Sequence, residues 1–228
     1  MNPYLDFLLS RVYDGATLHP EGLADLRKSG LTDETIARQK IRAVPPDMID
    51  TLLGFVAPKV RHAYLIPFAD PRGGWLDYVR MKVFPALETK KGTIKYLQPR
   101  QSGVRVYFPL VAVDAVLHSA EPLYVVEGEK KSLAVAQLGL PTVGICGIEG
   151  WHRAGSLALH PDLDDVGLRD RFVDLIPDGD WRWNFAVNRA VHRLAEALED
   201  RGASSRSRRT RIRRASVPLC LHPPITID

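Results

Sequence analysis

The pattern of hydrophobic and polar positions predicts a parallel α/β unit in the second half of the chain. Apolar, β-branched runs at 123–126, 142–148 and 172–176 have the length and composition of buried strands. A mostly apolar helix that stops at Gly139 separates the first two runs. A longer helix, which Asn184 can cap, follows the third run, and its apolar residues recur every three or four positions. Strands that alternate with helices predict right-handed crossovers and a central parallel sheet flanked by helices.

The stretch from 63 to 113 has the alternating pattern of an antiparallel sheet. Strand-like runs at 63–68 and 75–83 flank the turn sequence Asp-Pro-Arg-Gly-Gly, which predicts a β-hairpin. Further runs at 94–97 and 104–110 predict two more strands in this β-rich region.

The residues before this sheet predict a small helical segment. Leu23 and Leu26, followed by a Ser-Gly pair, indicate a short helix with a glycine stop. Thr32 is expected to cap a second helix that runs to Lys40, and the Pro-Pro pair at 45–46 to close the segment. Two short helices joined by a turn also occur in DNA-reading motifs, although most such pairs are packing units.

The end of the chain does not continue the α/β pattern. After Gly202 the order of strands and helices predicts another β-branched strand. The sequence instead has six arginines between 206 and 214 and shows neither the helical nor the strand periodicity. Two interpretations remain, a basic disordered tail that touches nucleic acid and a frameshift or truncation that replaced the native strand. The predicted units are a helical segment at 1–60, a β-rich basic subdomain at 61–120, the α/β domain at 121–203 and the tail at 204–228.

The distribution of charge matters more than its total. The formal net charge is +4, but residues 1–203 hold 25 Lys and Arg against 26 Asp and Glu, so the basic excess comes from the tail. The composition is that of a soluble protein, and neither a run of roughly 20 apolar residues nor a signal-peptide pattern is present. A cytoplasmic location with no membrane role is therefore expected. Two cysteines and seven histidines show no ligand spacing, which predicts satisfied or exposed histidines and no zinc site.

Acidic residues follow two of the predicted strands. Glu127 comes directly after the first strand, and Asp178 and Asp180 flank a glycine after the run 172–176. If these strand ends meet at one sheet edge, three carboxylates repel each other unless a hard cation such as Mg²⁺ binds them. The alternative is a turn-capping Asp pair and an unrelated surface Glu. Glu129 is an auxiliary candidate at the same edge.

Basic and aromatic residues could form a nucleic-acid surface. In the β-rich region Arg80, Lys82 and Lys95 are interleaved with tyrosines, a combination that suits phosphates and stacked bases of a single strand. A solvated sheet face with core aromatics explains the same pattern equally well. Lys130 and Lys131 could meet a phosphate, although a first helical turn favours acids over cations.

Three segments resemble the Toprim domain, the catalytic module of topoisomerases and primases. They are VVEGEKKSLAVAQLG at 125–139, GICGIEGW at 144–151 and DLIPDGDWRWNFAVNRA at 174–190. More narrowly, SGLTDETIA, KYLQP, EGEKKSLA and the turn at Trp151 are similar to a Toprim-like domain of uncharacterised function in phage and plasmid replication and primase-helicase proteins. The resemblance spans about residues 18–203 and implies a Toprim-like, Rossmann-like parallel sheet.

The resemblance also implies a function. In the Toprim module a Glu after the first strand and an Asp-x-Asp after the third bind Mg²⁺, which implies that Glu127, Asp178 and Asp180 are catalytic ligands of Mg²⁺ or Mn²⁺. Lys95 lies in a run that resembles a primase segment near the nucleotide path. The implied activity is primase-like phosphoryl transfer on nucleotides or single-stranded DNA in mobile-element replication. Alternatives are a nuclease or nickase, and a non-catalytic module that binds nucleic acid or a partner protein. Since no Walker loop is present, any replicative helicase is expected to be a separate protein or a lost portion.

Overall fold

The computed structural model describes residues 17–90, 92–179 and 183–207 and forms two four-stranded sheets from them. The first sheet is antiparallel in the order β1-β2-β3-β4, with strands Arg42–Val44, His62–Ala69, Trp75–Thr89 and Gly92–Leu97. The second is parallel in the order β6-β5-β7-β8, where β5 is Leu123–Glu127, β6 Thr142–Ile145, β7 Phe172–Ile176 and β8 Ser204–Ser207. The predicted parallel sheet flanked by helices is confirmed.

Six α-helices pack around these sheets in the described part of the chain. They are α1 Pro20–Lys28, α2 Asp33–Arg38, α3 Pro46–Leu53, α4 Val113–His118, α5 Glu129–Ala136 and α6 Phe185–Glu199. None of the described helices has both the length and the apolar character required to cross a membrane.

Two predicted helix caps are present. The Thr32 hydroxyl accepts the N–H of Thr35 at 3.1 Å and starts α2, which ends at Arg38. The Asn184 side chain accepts two N–H groups of the first turn of α6. Because the apolar positions of α6 recur on one face, residues such as Val191 and Leu194 are buried against the parallel sheet.

The amino-terminal half departs from the sequence prediction at two points. The Pro-Pro pair does not close the helical segment, because Pro46 opens α3, where a missing N–H costs nothing. The predicted strand at 104–110 is wrong, since within it only Tyr107 forms a β-bridge, to Gly144. A Cβ at Gly144 would lie 2.5 Å from the Ser132 hydroxyl, so only glycine permits this approach. The bridge joins the extended segment to the edge of the parallel sheet.

The segment after Gly202 forms the strand that the sheet order requires. Ser204–Ser207 pairs with β7 in parallel, so the expectation of an unstructured tail is wrong for these four residues. Arg206 on this strand forms an ion pair with the fully buried Asp174 of β7. Because Arg206 of β8 balances the charge of a buried acid in β7, the ion pair supports 204–207 as part of the native sheet. The rest of the predicted tail, 208–228, lies outside the described residues.

A partly buried ion pair between Arg105 and Asp162 holds the segment 104–110 to the parallel-sheet domain. The Arg105 guanidinium donates to both oxygens of Asp162 at 2.9 and 2.6 Å, and the Val106 N–H donates at 3.0 Å. Burial alone would raise the pKa of the Asp162 carboxyl. Contacts with His160, Arg105 and the Val106 N–H outweigh burial and hold that pKa far below its ordinary value.

We expect Asp162→Asn to lower the free energy of unfolding by about 2 kcal/mol near neutral pH, because charge-assisted hydrogen bonds are lost. The folded-state pKa is depressed, so the carboxylate stabilises the fold above its unfolded pKa near 3.8 and loses that effect as pH falls below it. Urea unfolding should therefore show a difference that shrinks in acid. Asp164→Asn, in an exposed pair with Arg201, is the control. An equal loss of unfolding free energy in the two variants would contradict the stabilising role of the Asp162 carboxylate.

Candidate active site

The two acidic strand ends meet at one edge of the parallel sheet. Glu127 is the last residue of β5, and Asp178 lies two residues beyond the end of the neighbouring β7. A carboxylate oxygen of Glu127 accepts the backbone N–H of Asp178 at 2.8 Å. Gly128 has a φ of +94°, which turns the chain sharply between Glu127 and α5. Asp180, the third acid predicted for this site, lies outside the described residues.

The exposed Asp178 carboxylate is paired with a lysine. The ammonium of Lys131, in the first turn of α5, forms an ion pair with the Asp178 carboxylate. A Cβ at Gly128 would lie 3.2 Å from Cε of Lys131, so this side chain crosses closely over the turn after Glu127. Lys131 therefore compensates the acidic edge, and a cation that binds Asp178 must compete with it.

A cleft of about 250 Å³ opens beside these acids between the two sheets. Arg80 of β3 and Tyr96 of β4 line one side, and Glu127, Lys131 and Asp178 line the other. Both signs of charge therefore face one opening, as a phosphate-bearing ligand with a bound cation requires. A wider depression of about 510 Å³, lined by 169–170 and 199–202, lies at the opposite edge, where β7 and β8 begin, away from the strand-end acids.

Glu129 points across the cleft and not toward the acidic edge. It is buried, and its Oε1 lies 3.0 Å from Nε of Arg80, a charge contact without ideal hydrogen-bond alignment. The Cys146 thiol donates to the same oxygen at 3.0 Å. Burial opposes the charge of Arg80, but the contacts with Glu129, Cys146 and Tyr78 together outweigh it and raise the pKa of the guanidinium. Burial, reinforced by Glu129, raises the pKa of the Cys146 thiol well above its ordinary value, so it stays protonated. Glu129 thus holds Arg80 at the cleft.

Asp25, which the sequence pattern did not single out, pairs with two of the predicted phosphate-binding cations, Lys130 and Lys82. Asp25 of α1 accepts from Lys130 at 2.8 Å and from the Tyr64 hydroxyl at 2.7 Å, and Lys82 lies 4.0 Å away. Burial would raise the pKa of Asp25, but the bonds from Lys130 and Tyr64 lower it. Burial also lowers the pKa of Lys82. Since Asp25 is remote in sequence from all three partners, no local motif could have indicated this network.

The predicted single-strand surface is formed only in part. Tyr78 and Tyr107 are buried in the core and cannot stack on bases, which supports the core-aromatic interpretation for both. Tyr96 lines the cleft, where Arg80 and Lys82 lie 5.2 and 5.1 Å from the centre of its ring. Lys95 is exposed on β4 and does not line the cleft.

The arrangement of the two sheets is similar to that of solved DNA primase domains. The chain matches the zinc-binding and RNA polymerase domains of the Aquifex aeolicus primase with a TM-score of 0.60 and 15% identity over 90% of its length. It matches a primase domain from Pseudomonas aeruginosa with a TM-score of 0.58 and 17% identity, covering 91% of this chain and 70% of that one. It matches the structure of a DnaG primase catalytic domain bound to ssDNA with a TM-score of 0.55 and 21% identity, covering 92% of this chain and 73% of that one.

These comparisons show a Toprim-like α/β fold, the class of the primase catalytic domains. The chain spans about half, 53%, of the Aquifex aeolicus structure. One family model, described as a domain of unknown function, DUF3854, matches residues 114–211, which include the parallel sheet and less than half of the chain. A comparison with curated protein sequences gave no match.

Proposed function

We propose that this chain performs primase-like, metal-dependent phosphoryl transfer on nucleotides or single-stranded DNA. The observation that carries the proposal is the meeting of Glu127 and Asp178 at the carboxyl ends of neighbouring parallel strands, across a cleft from Arg80. The primase-like fold, including a relative solved with ssDNA, supports the same substrate class.

The donor atoms at the sheet edge fit a hard divalent cation. Glu127 and Asp178 offer carboxylate oxygens, which are the ligands that Mg²⁺ and Mn²⁺ prefer, and Asp180 follows Asp178 by two residues in the sequence. When bound, such an ion would stabilise negative charge on the transferring phosphoryl group. Glu127 and Asp178 would hold it, and Asp180 is the third proposed ligand.

The chain's own cations would position the phosphates. The Arg80 guanidinium, in charge contact with Glu129 through Nε, lines the cleft, where it would meet phosphate oxygens. Lys131 would leave Asp178 when the ion binds, and it lies at the same opening. Tyr96 adds an aromatic ring to this wall, which suits a base or a sugar.

Synthesis on a template tests the proposal. Purified chain with a single-stranded template, ribonucleotides and Mg²⁺ should give short oligonucleotides, and chelation should stop their synthesis. Cleaved template without synthesis would favour the nuclease or nickase instead. If the chain binds the template equally well with and without chelator and makes no product, it is a non-catalytic binding module.

The ion pair between Lys131 and Asp178 favours the binding module as the second candidate. An ammonium already balances the acid that a catalytic ion would need, so the edge is electrostatically stable without metal. In that case the cleft would bind nucleic acid or a partner protein through Arg80 and its neighbours and perform no chemistry.

We also propose that the protein acts in the replication of a mobile element. The support is the resemblance of the segments at 29–37, 95–99 and 125–139 to the Toprim-like domain of phage and plasmid replication proteins. A helicase partner would be contributed by another domain or polypeptide, since these 228 residues contain no Walker loop.

Arg80→Lys should raise the KM for nucleotide about tenfold and leave kcat within about threefold, because a lysine keeps the charge but cannot hold Glu129 and a phosphate together. Steady-state kinetics of synthesis measure both constants. Arg72→Lys, the same change at an exposed pair with Asp165, should alter neither. A fall in kcat with unchanged KM would show that Arg80 does not bind the ground-state substrate.

A further inference from the structure

A second cluster of ligand atoms lies away from the cleft. His19 precedes α1, Glu21 is in its first turn, and His62 is the first residue of β2. One ligand atom from each residue lies within 4.8 Å of the others. The carboxylate of Glu21 is 3.0 Å from Nε2 of His62. We propose that these three side chains form a site for a divalent transition metal such as Zn²⁺.

The donor set defines the kind of ion. Two imidazole nitrogens and one carboxylate oxygen are the ligands of many three-residue zinc sites, in which water or substrate takes the fourth position. Nitrogen donors are poor ligands for Mg²⁺, so this site is chemically distinct from the acidic edge. His19 and Glu21 are exposed, so an ion and its water can enter from solvent.

The His62 ring is already positioned by packing. The His62 ring is stacked between the rings of His19 and Phe84, with centroid distances of 3.8 and 4.8 Å. Nδ1 of His62 has no hydrogen-bond partner among the described residues, so stacking and Glu21 hold this ring in place. The distance of 3.0 Å between Nε2 and the Glu21 oxygen suits two neighbouring ligands of one ion, whose bonds are each about 2.0–2.2 Å.

Metal binding requires a small movement of His19. Its ring lies stacked on His62, and its Nδ1 accepts the N–H of Glu21 at 3.3 Å, a long helix-capping bond. The ring must rotate out of the stack to direct a nitrogen toward the ion. The rotation breaks the weak capping bond of His19 and allows a coordination bond to form. Because the His19 side chain is exposed, there is room for this rotation.

The site would tie α1 to the antiparallel sheet. Helix α1 carries Asp25, which binds Lys130 and Tyr64, so an ion at its first turn would fasten the same helix at a second point. The expected consequence is a higher unfolding temperature in the presence of Zn²⁺, since an ion that binds only the folded chain stabilises it.

Zn²⁺ binding to the full chain, measured by competition with a chromophoric chelator, tests the proposal. We expect one ion per chain and at least about tenfold weaker binding in His62→Phe, which keeps the stack but lacks ligand nitrogens. His19→Asn keeps a capping side chain and should lose affinity similarly, and because His19 is exposed this variant should fold even if His62→Phe does not.

Two controls separate this site from other binding. His118→Ala removes an exposed histidine paired with Asp114, and Glu127→Gln alters the acidic edge; neither should change Zn²⁺ affinity or the rise in unfolding temperature. Equal affinity in the wild type and His19→Asn, or no binding by the wild type, would overturn the proposal. Loss of binding in Glu127→Gln alone would assign the ion to the acidic edge instead.

Discussion

Asp178→Asn is expected to reduce template-directed synthesis by at least about 100-fold, because it removes one of the three carboxylates proposed to hold the cation that would stabilise the transition state. The substitution keeps the backbone N–H that Glu127 accepts, so the turn after β7 should persist. Asp178 is exposed, and its loss should not unfold the protein. The rate of oligonucleotide synthesis at saturating Mg²⁺ and nucleotide measures the effect.

The matched control is Asp114→Asn. Asp114 is an exposed acid of α4 whose described ion pair is with His118, so the same change of charge there should leave the rate within about twofold. A rate for Asp178→Asn close to that of Asp114→Asn would remove Asp178 from the proposed catalytic group. Activity lost equally in both variants would indicate a general effect of charge.

Arg206→Ala is expected to lower the free energy of unfolding by about 3 kcal/mol, because it removes the cation that pairs with the buried Asp174 carboxylate. The estimate is at the lower end for a broken buried pair, since Arg206 itself is half exposed and water screens it. The Arg206 guanidinium also packs over the Phe172 ring at 5.6 Å, a contact that is lost as well. Urea unfolding followed by circular dichroism gives the free energy.

A second substitution separates charge from packing. In the Arg206→Ala background, Asp174→Val replaces the buried carboxylate by an apolar, strand-forming side chain and should recover most of the loss. Arg201→Ala removes an exposed partner of Asp164 and should cost less than about 1 kcal/mol. If Arg206→Ala is no more harmful than Arg201→Ala, β8 does not complete the sheet as described.

The parallel sheet was predictable because its signals are local. Apolar strands, a glycine stop after α5 and the recurrence of apolar residues every three or four positions in α6 each lie within one element, and all were found at or near the predicted positions. The strand β8 was harder, since Ser204–Ser207 contains no β-branched residue. Its place depends on Asp174 in another strand and on backbone pairing, and neither is visible in a window of sequence.

The site was predictable only where a strand end delivers a side chain. Glu127 follows one apolar run directly and Asp178 lies two residues after another, so the parallel order was enough to bring them to one edge. The position of Glu129 depends on burial against Arg80, and that of Lys130 on Asp25, a residue 105 positions earlier in the chain. His19 and His62 are separated in the same way and have no local ligand spacing.

Anomalous scattering from crystals grown with Mn²⁺ tests most directly whether the strand-end acids form a metal site. We predict one peak within coordination distance of carboxylate oxygens of Glu127 and Asp178, with the Lys131 amine displaced from Asp178. Absence of a peak at this edge in crystals saturated with Mn²⁺, with Lys131 still paired to Asp178, would contradict a metal-dependent active site there.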